Sequence, residues 1–73
     1  MRVLDCRGRR CPLPVIELAR VLPEVAIGDV IRVLADDPAA AVDIPAWCRM
    51  RGQTFAGESE VDGAQAFDVR RTS

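Results

Sequence analysis

The chain has 73 residues, with 49% apolar side chains, eleven acids against ten arginines, no lysine and no histidine. That length is expected to form one domain over residues 1–73, and the formal net charge of −1 supplies no overall basic field that would draw it to nucleic acid. Three cysteines without histidine or a C-x-x-C pair make a structural metal site unexpected, and no resident cofactor is expected either.

The N-terminus carries no long apolar run, so neither a secretion signal nor a membrane span is expected. The cysteines then read as reduced thiols in the cytoplasm. Val3 to Cys6 reads as a short strand, and Gly8 as a turn. From Pro12 the pattern becomes helical: Val15, Leu18, Ala19 and Leu22 fall at i, i+3, i+4 and i+7 on one face, with Glu17 and Arg20 off it. Pro23 is expected to end this helix near Leu22. Gly28-Asp29 is a turn, and the short branched apolar run Val30 to Ala35 reads as a mostly buried strand.

Asp36-Asp37-Pro38 joins an N-cap residue to a proline at a first helical position, and Asp43-Ile44-Pro45 repeats the signal. A short helical turn is therefore expected after Asp37, followed by the main second helix from about Ile44 to Arg51. Gly52 suits the C′ position, and Arg49 and Arg51 suit the negative helix end. Trp47 and Cys48 are expected in the core. Gln53 to Val61 and Ala64 to Arg70 flank Asp62-Gly63, a strong two-residue hairpin signal. Phe67 and Val69 should share one face, with Asp68 on the other. The order β-α-β-α-β-β predicts an α+β, two-layer α/β sandwich: a four-stranded mixed sheet with two helices on one face.

Cys11-Pro12-Leu13-Pro14 places a thiol immediately before that first helix. Proline is tolerated in a first helical turn, whose N–H groups lack intrahelical partners, so Pro12 and Pro14 suit the N1 and N3 positions. Cys11 then falls at or beside the N-cap. The positive end of the helix favours an anion there, and Arg7, Arg9 and Arg10 add to the field, so the spacing points to a lowered thiol pKa and a nucleophilic thiolate. The two prolines remove N–H donors and weaken that field, and the competing reading is a buried small hydrophobe. With no histidine there is no imidazole base for a Cys–His hydrolase, and with no C-x-x-C there is no thioredoxin-like pair. What remains is sulfur exchange, which needs a thiolate and access but no base.

The motif "CPLP", following "LDCRGRR" and preceding "VIELAR", together with "GDVIRVLADDPAA", "DIPAWC" and Gly52, resembles the TusA/SirA-like family of small sulfur-carrier proteins. The likeness runs from Leu4 to about Arg70. It implies a sandwich similar to the C-terminal domain of translation initiation factor three. It also implies a sulfurtransferase acting as a persulfide relay: Cys11 takes sulfur from a cysteine desulfurase or rhodanese-type donor protein and passes it to a downstream acceptor protein, in tRNA 2-thiouridine synthesis or in molybdenum-cofactor, selenium or sulfur-oxidation branches. The resemblance places Asp37 at the contact with the desulfurase or relay partner, with Arg10 beside the motif cysteine. Arg9 and Arg10 fit a docking patch for a protein donor better than a direct nucleic-acid contact. Gln53 stands where the tRNA-thiolation branch often carries histidine. The rival expectations are a non-catalytic regulatory or RNA-contacting module, and a thiol redox sensor using Cys6 and Cys11. Cys6 itself is expected to pack in the sheet.

Overall fold

The computed structural model describes residues 2–8 and 13–73, with Leu13 and Pro14 described by their backbone alone. The elements are β1 (Arg2–Asp5), α1 (Leu13–Val21), a 3₁₀ turn (Leu22–Glu24), β2 (Val30–Ala35), α2 (Ala40–Arg51), β3 (Thr54–Val61) and β4 (Ala64–Arg70). The strands form one mixed sheet in the order β1-β2-β4-β3. β1 runs parallel to β2, whereas β4 is antiparallel to both β2 and β3. The predicted α+β architecture is the observed one. Its strand order places β4, the last strand, between β2 and β3.

Alternation decides which face of the sheet is covered. Ile31 and Val33 of β2 stand opposite Val69 and Phe67 of β4, and all four are fully buried. They pack with Leu18 and Val21 of α1 and with Ile44, Trp47 and Cys48 of α2 in one core cluster. Both helices therefore cover the same face, and they touch each other across it. On the opposite face Arg32 and Asp68 sit directly across from one another and form a two-pronged ion pair at 2.8 and 3.0 Å. The carboxylate raises the Arg32 pKa above its ordinary value, first through the hydrogen bond and then through charge. Asp68 thus points away from Phe67 and Val69, as their alternation requires.

The first helix follows its predicted face. Leu18 is buried, and Val15, Ala19 and Leu22 pack partly buried against the core. Pro14 is the second residue of α1, one place earlier than the N3 position expected because the helix begins at Leu13, and still within the first turn that tolerates proline. Pro12 lies outside the described residues. The helix ends at Val21, and Pro23 then sits at the start of the tighter turn, closed by the Val25 N–H donating to the Leu22 carbonyl at 3.3 Å.

Three elements differ from expectation in their bounds; the smallest change is in β3, which begins at Thr54 and not Gln53. β1 spans Arg2–Asp5, not Val3 to Cys6, although the Cys6 N–H still donates to the Leu34 carbonyl at 2.8 Å and prolongs the strand pairing. The second helix is one piece from Ala40, not a turn and a separate helix from Ile44. Asp37 Oδ1 accepts the Ala39 N–H at 3.0 Å, and the Ala40 and Ala41 N–H groups donate to the Asp37 and Pro38 carbonyls at 3.0 and 3.2 Å. The turn begun at Asp37-Pro38 winds straight into α2, so Pro45 is inside the helix. Its ring nitrogen has no proton for the Ala41 carbonyl, a local cost outweighed by burial of Ile44, Trp47 and Cys48 on either side. Gly52 closes the helix in the left-handed region, at φ 71°, with the Gln53 N–H donating to the Cys48 carbonyl at 2.9 Å.

The hairpin turn is at Asp62-Gly63, both with positive φ (52° and 78°), as a two-residue turn of the primed type requires. Between Phe55 and Gly57 the β3–β4 register shifts by one residue, a bulge that sequence alternation does not reveal.

Pro45→Ala restores the missing N–H at a helical position and is expected to stabilise the fold by about 1–3 kcal/mol, since proline costs roughly 3 kcal/mol against alanine in a helix interior. The urea midpoint should rise; an unchanged or lower midpoint would show that the helix loses nothing at this residue.

Candidate functional site

β1 and β2 are parallel neighbours, so their carboxyl ends lie side by side. The loops leaving those ends carry most of the residues singled out by sequence. One runs from Cys6 toward α1; the other runs from Asp36 to α2. Arg9, Arg10, Cys11 and Pro12 lie outside the described residues. The structure describes what flanks them: Asp5, Cys6, Arg7 and Gly8 before, and α1 from Leu13 after.

Two carboxylates hold the described start of this loop. Asp5 Oδ1 accepts the Arg7 N–H at 3.1 Å, and the Arg7 guanidinium donates back to both Asp5 oxygens at 2.8 and 2.7 Å. The bidentate pair raises the Arg7 pKa, chiefly through the Asp5 hydrogen bond, with smaller contributions from the charges of Asp62 and Asp36. The Asp62-Gly63 hairpin tip thus belongs to the same end of the molecule. Arg7, expected to add to the field on the thiol, is engaged with Asp5. At the next residue, both oxygens of Asp36 accept the Gly8 N–H, at 3.0 and 2.9 Å. The next residue, Asp37, caps the turn that opens α2. The structure therefore brings together Asp36, Asp37, Gly8 and Arg7.

Asp5 and Asp36 were not singled out by sequence. Asp5-x-Arg7 has the spacing of a side chain that closes a turn on the backbone two residues ahead, and that local signal could have been read. The Asp36–Gly8 contact spans 28 residues and has no local signal.

The other two cysteines are in the core. Cys6 is 2% exposed and Cys48 is 1% exposed, as their expected packing requires. Burial pushes the Cys48 thiol above its ordinary pKa, and the nearby Arg49 charge only partly opposes this. Trp47 is also buried, with the Arg51 guanidinium 5.9 Å from its ring centre. Between the helices lies an open groove of about 220 Å³ lined by Val15, Asp43, Ala46, Trp47 and Met50. Among the described residues no three His, Cys, Asp or Glu side chains are grouped to hold a metal ion. None of the described helices is long and apolar enough to cross a membrane.

The described residues form a four-stranded mixed sheet under two helices, and the family model described as sulfurtransferase TusA matches residues 2–71. The chain belongs to that family. It is 39% identical over 71 residues to a putative sulfur carrier protein of Archaeoglobus fulgidus, covering 96% of this chain and 92% of that one. It is 42% identical over 67 residues to a putative sulfur carrier protein of Neisseria meningitidis serogroup A, covering 92% and 90%. The sulfur carrier protein TusA of Pseudomonas entomophila is 37% identical over 68 residues, covering 93% and 85%. The crystal structure of a SirA-like protein from Desulfitobacterium hafniense superposes over the full length of both chains with a TM-score of 0.84 at 25% identity.

Burial of Cys6 and Cys48 predicts that neither thiol reacts in the folded state. Iodoacetamide at mild alkaline pH followed by peptide mass spectrometry should find both unlabelled, and both labelled once the chain is unfolded in urea. Labelling of either in the native protein would contradict the packing described here.

Proposed function

We propose that the protein is a sulfur carrier in which Cys11 cycles between thiol and persulfide. The observation that carries the reading is family membership over nearly the whole chain, with relatives named as sulfur carriers. Core burial of Cys6 and Cys48 supports it, because it makes those two thiols poor candidates for the exchange. The donor is a cysteine desulfurase or rhodanese-type protein bearing a persulfide. The Cys11 thiolate attacks the terminal sulfur of that persulfide; a new S–S bond forms on Cys11, the donor's S–S bond breaks, and the donor cysteine leaves as a thiolate. The exchange needs no external oxidant or reductant. The same step run toward an acceptor protein returns Cys11 to the thiolate. The pathway served is tRNA 2-thiouridine synthesis or another sulfur-trafficking route.

The remaining roles follow from position and charge. Pro12 and Pro14 pre-set the first turn of α1, whose positive end favours the thiolate. Arg9, Arg10 and Asp37 contact the protein partners, where complementary charge chiefly sets encounter rate and partner choice. The protein acts as a relay and needs no cofactor of its own.

Incubation with a cysteine desulfurase, its pyridoxal cofactor and cysteine is expected to add one sulfur atom to the chain, on the Cys11 peptide, by mass spectrometry under non-reducing conditions. Cys11→Ser should abolish the addition. An unmodified wild type, or a modification that survives Cys11→Ser, would defeat the proposal and favour a non-catalytic module.

Asp37 serves two ends, a cap and a charge, and serine separates them because it caps nearly as well as aspartate. Asp37→Ser should leave thermal stability close to that of the wild type while slowing sulfur loading about tenfold at low salt, with the difference shrinking as salt is raised. Equal loading at low salt would remove Asp37 from the partner contact.

A further inference from the structure

The two helices lie side by side and point the same way. β1 is parallel to β2, and β2 is parallel to β3 because each is antiparallel to β4. α1 and α2 therefore both run back against those strands, and they touch each other. Their last turns share one end of the helical layer and their first turns the other. The last turns carry Arg20, Arg49 and Arg51, and the first turn of α2 carries Asp43. Arg20 is paired with Glu17 of its own helix, so Arg49 and Arg51 give that end its charge. The side of α2 that faces away from the core is apolar. Val42, Ala46 and Met50 recur every four residues, opposite the buried Ile44, Trp47 and Cys48. Val42 is 70% exposed and Met50 78%, and Ile16 of α1 is 52% exposed. These are three of the five large apolar side chains exposed among the described residues, and Ala46 and Met50 also line the groove between the helices. A helix face turned to water ordinarily carries polar residues at such positions.

We infer that this face is an interface with a second copy of the chain, formed about a two-fold axis that passes beside Ala46 at right angles to the helices. Such an axis sets the two α2 helices antiparallel. The turn that holds Val42 and Asp43 in each copy then meets the turn that holds Arg49 and Met50 in the other, so apolar and charged ends are both matched. Ala46 is the small residue at the crossing, where it lets the two backbones approach. The alternative two-fold, along the helices, would set Asp43 against Asp43 and the arginine end against itself. α2 has 12 residues and is about 18 Å long. With α1 beside it, the area lost by a pair is on the order of 1,000 Å², at the lower edge of specific interfaces and suited to reversible association. The inference uses only α2 and α1 from Val15 onward, and it does not rest on the role of Cys11.

Sedimentation velocity of the purified chain under reducing conditions should show a monomer–dimer equilibrium with a midpoint between about 10 and 100 μM. Added salt should weaken it, because opposite charges meet; the acid-on-acid arrangement predicts the reverse. Ala46→Arg, at the centre of the interface, should weaken dimerisation at least about tenfold with the urea midpoint kept. Met50→Glu, at the most exposed of these positions, should weaken it likewise and serves if Ala46→Arg fails to fold. Ala46→Cys in a Cys11→Ser chain gives the register: a residue beside the axis meets its own copy, so mild oxidation should join the two introduced thiols, whereas Arg70→Cys, on β4, should stay unlinked. A chain that remains monomeric to about 1 mM overturns the inference and leaves the face to a different protein. So does dimerisation that salt strengthens, that Met50→Glu leaves intact, or that gives no link at Ala46→Cys.

Discussion

Everything in this fold depends on the pairing of β2 with β4. Ile31 opposite Val69 and Val33 opposite Phe67 form a fully buried patch in the middle of the sheet, and both helices settle on it. A chain this short hides only about 60% of its unfolded surface, so it cannot afford a second core. One covered face and one open face follow. On the open face the central position is held by Arg32 and Asp68, a charge pair that satisfies itself across the two strands.

That central pairing also places the site. Because β1 adds to β2 in parallel, two loops leave the sheet at the same end, and the β3–β4 turn returns to that end as well. The exposed turns at this junction are pinned by carboxylates: Asp5 accepts the Arg7 N–H, Asp36 that of Gly8 and Asp37 that of Ala39. Three acids in two loops thus do structural work at the place where the chemistry is expected. Apolar burial deals with the other two thiols, since a cysteine kept at 1–2% exposure meets neither partner nor oxidant.

The same burial bears on the redox-sensor alternative. A resolving role would require Cys6 to leave the core cluster that contains Leu18, Ile31 and Val33, and to break away from a strand end whose N–H is bonded to Leu34. Sulfur exchange at a single thiol asks for no such rearrangement.

What the sequence by itself determined is whatever depends on neighbours within a few residues. The period of Val15, Leu18, Ala19 and Leu22, the stop at Pro23, the Gly52 cap, the Asp62-Gly63 turn and the Asp37 turn all appear where local chemistry put them. The second start signal at Asp43-Ile44-Pro45 misled, because a local cost at Pro45 was outweighed by core contacts that local reading does not see. Tertiary structure alone decided that β4 enters between β2 and β3, that β3 bulges beside Gly57, that Cys6 and Cys48 are shut away, and that Asp36 reaches Gly8. Each of these joins residues far apart in the chain, and such contacts are selected by the burial and hydrogen bonding of the whole molecule, for which a linear pattern carries no distance information.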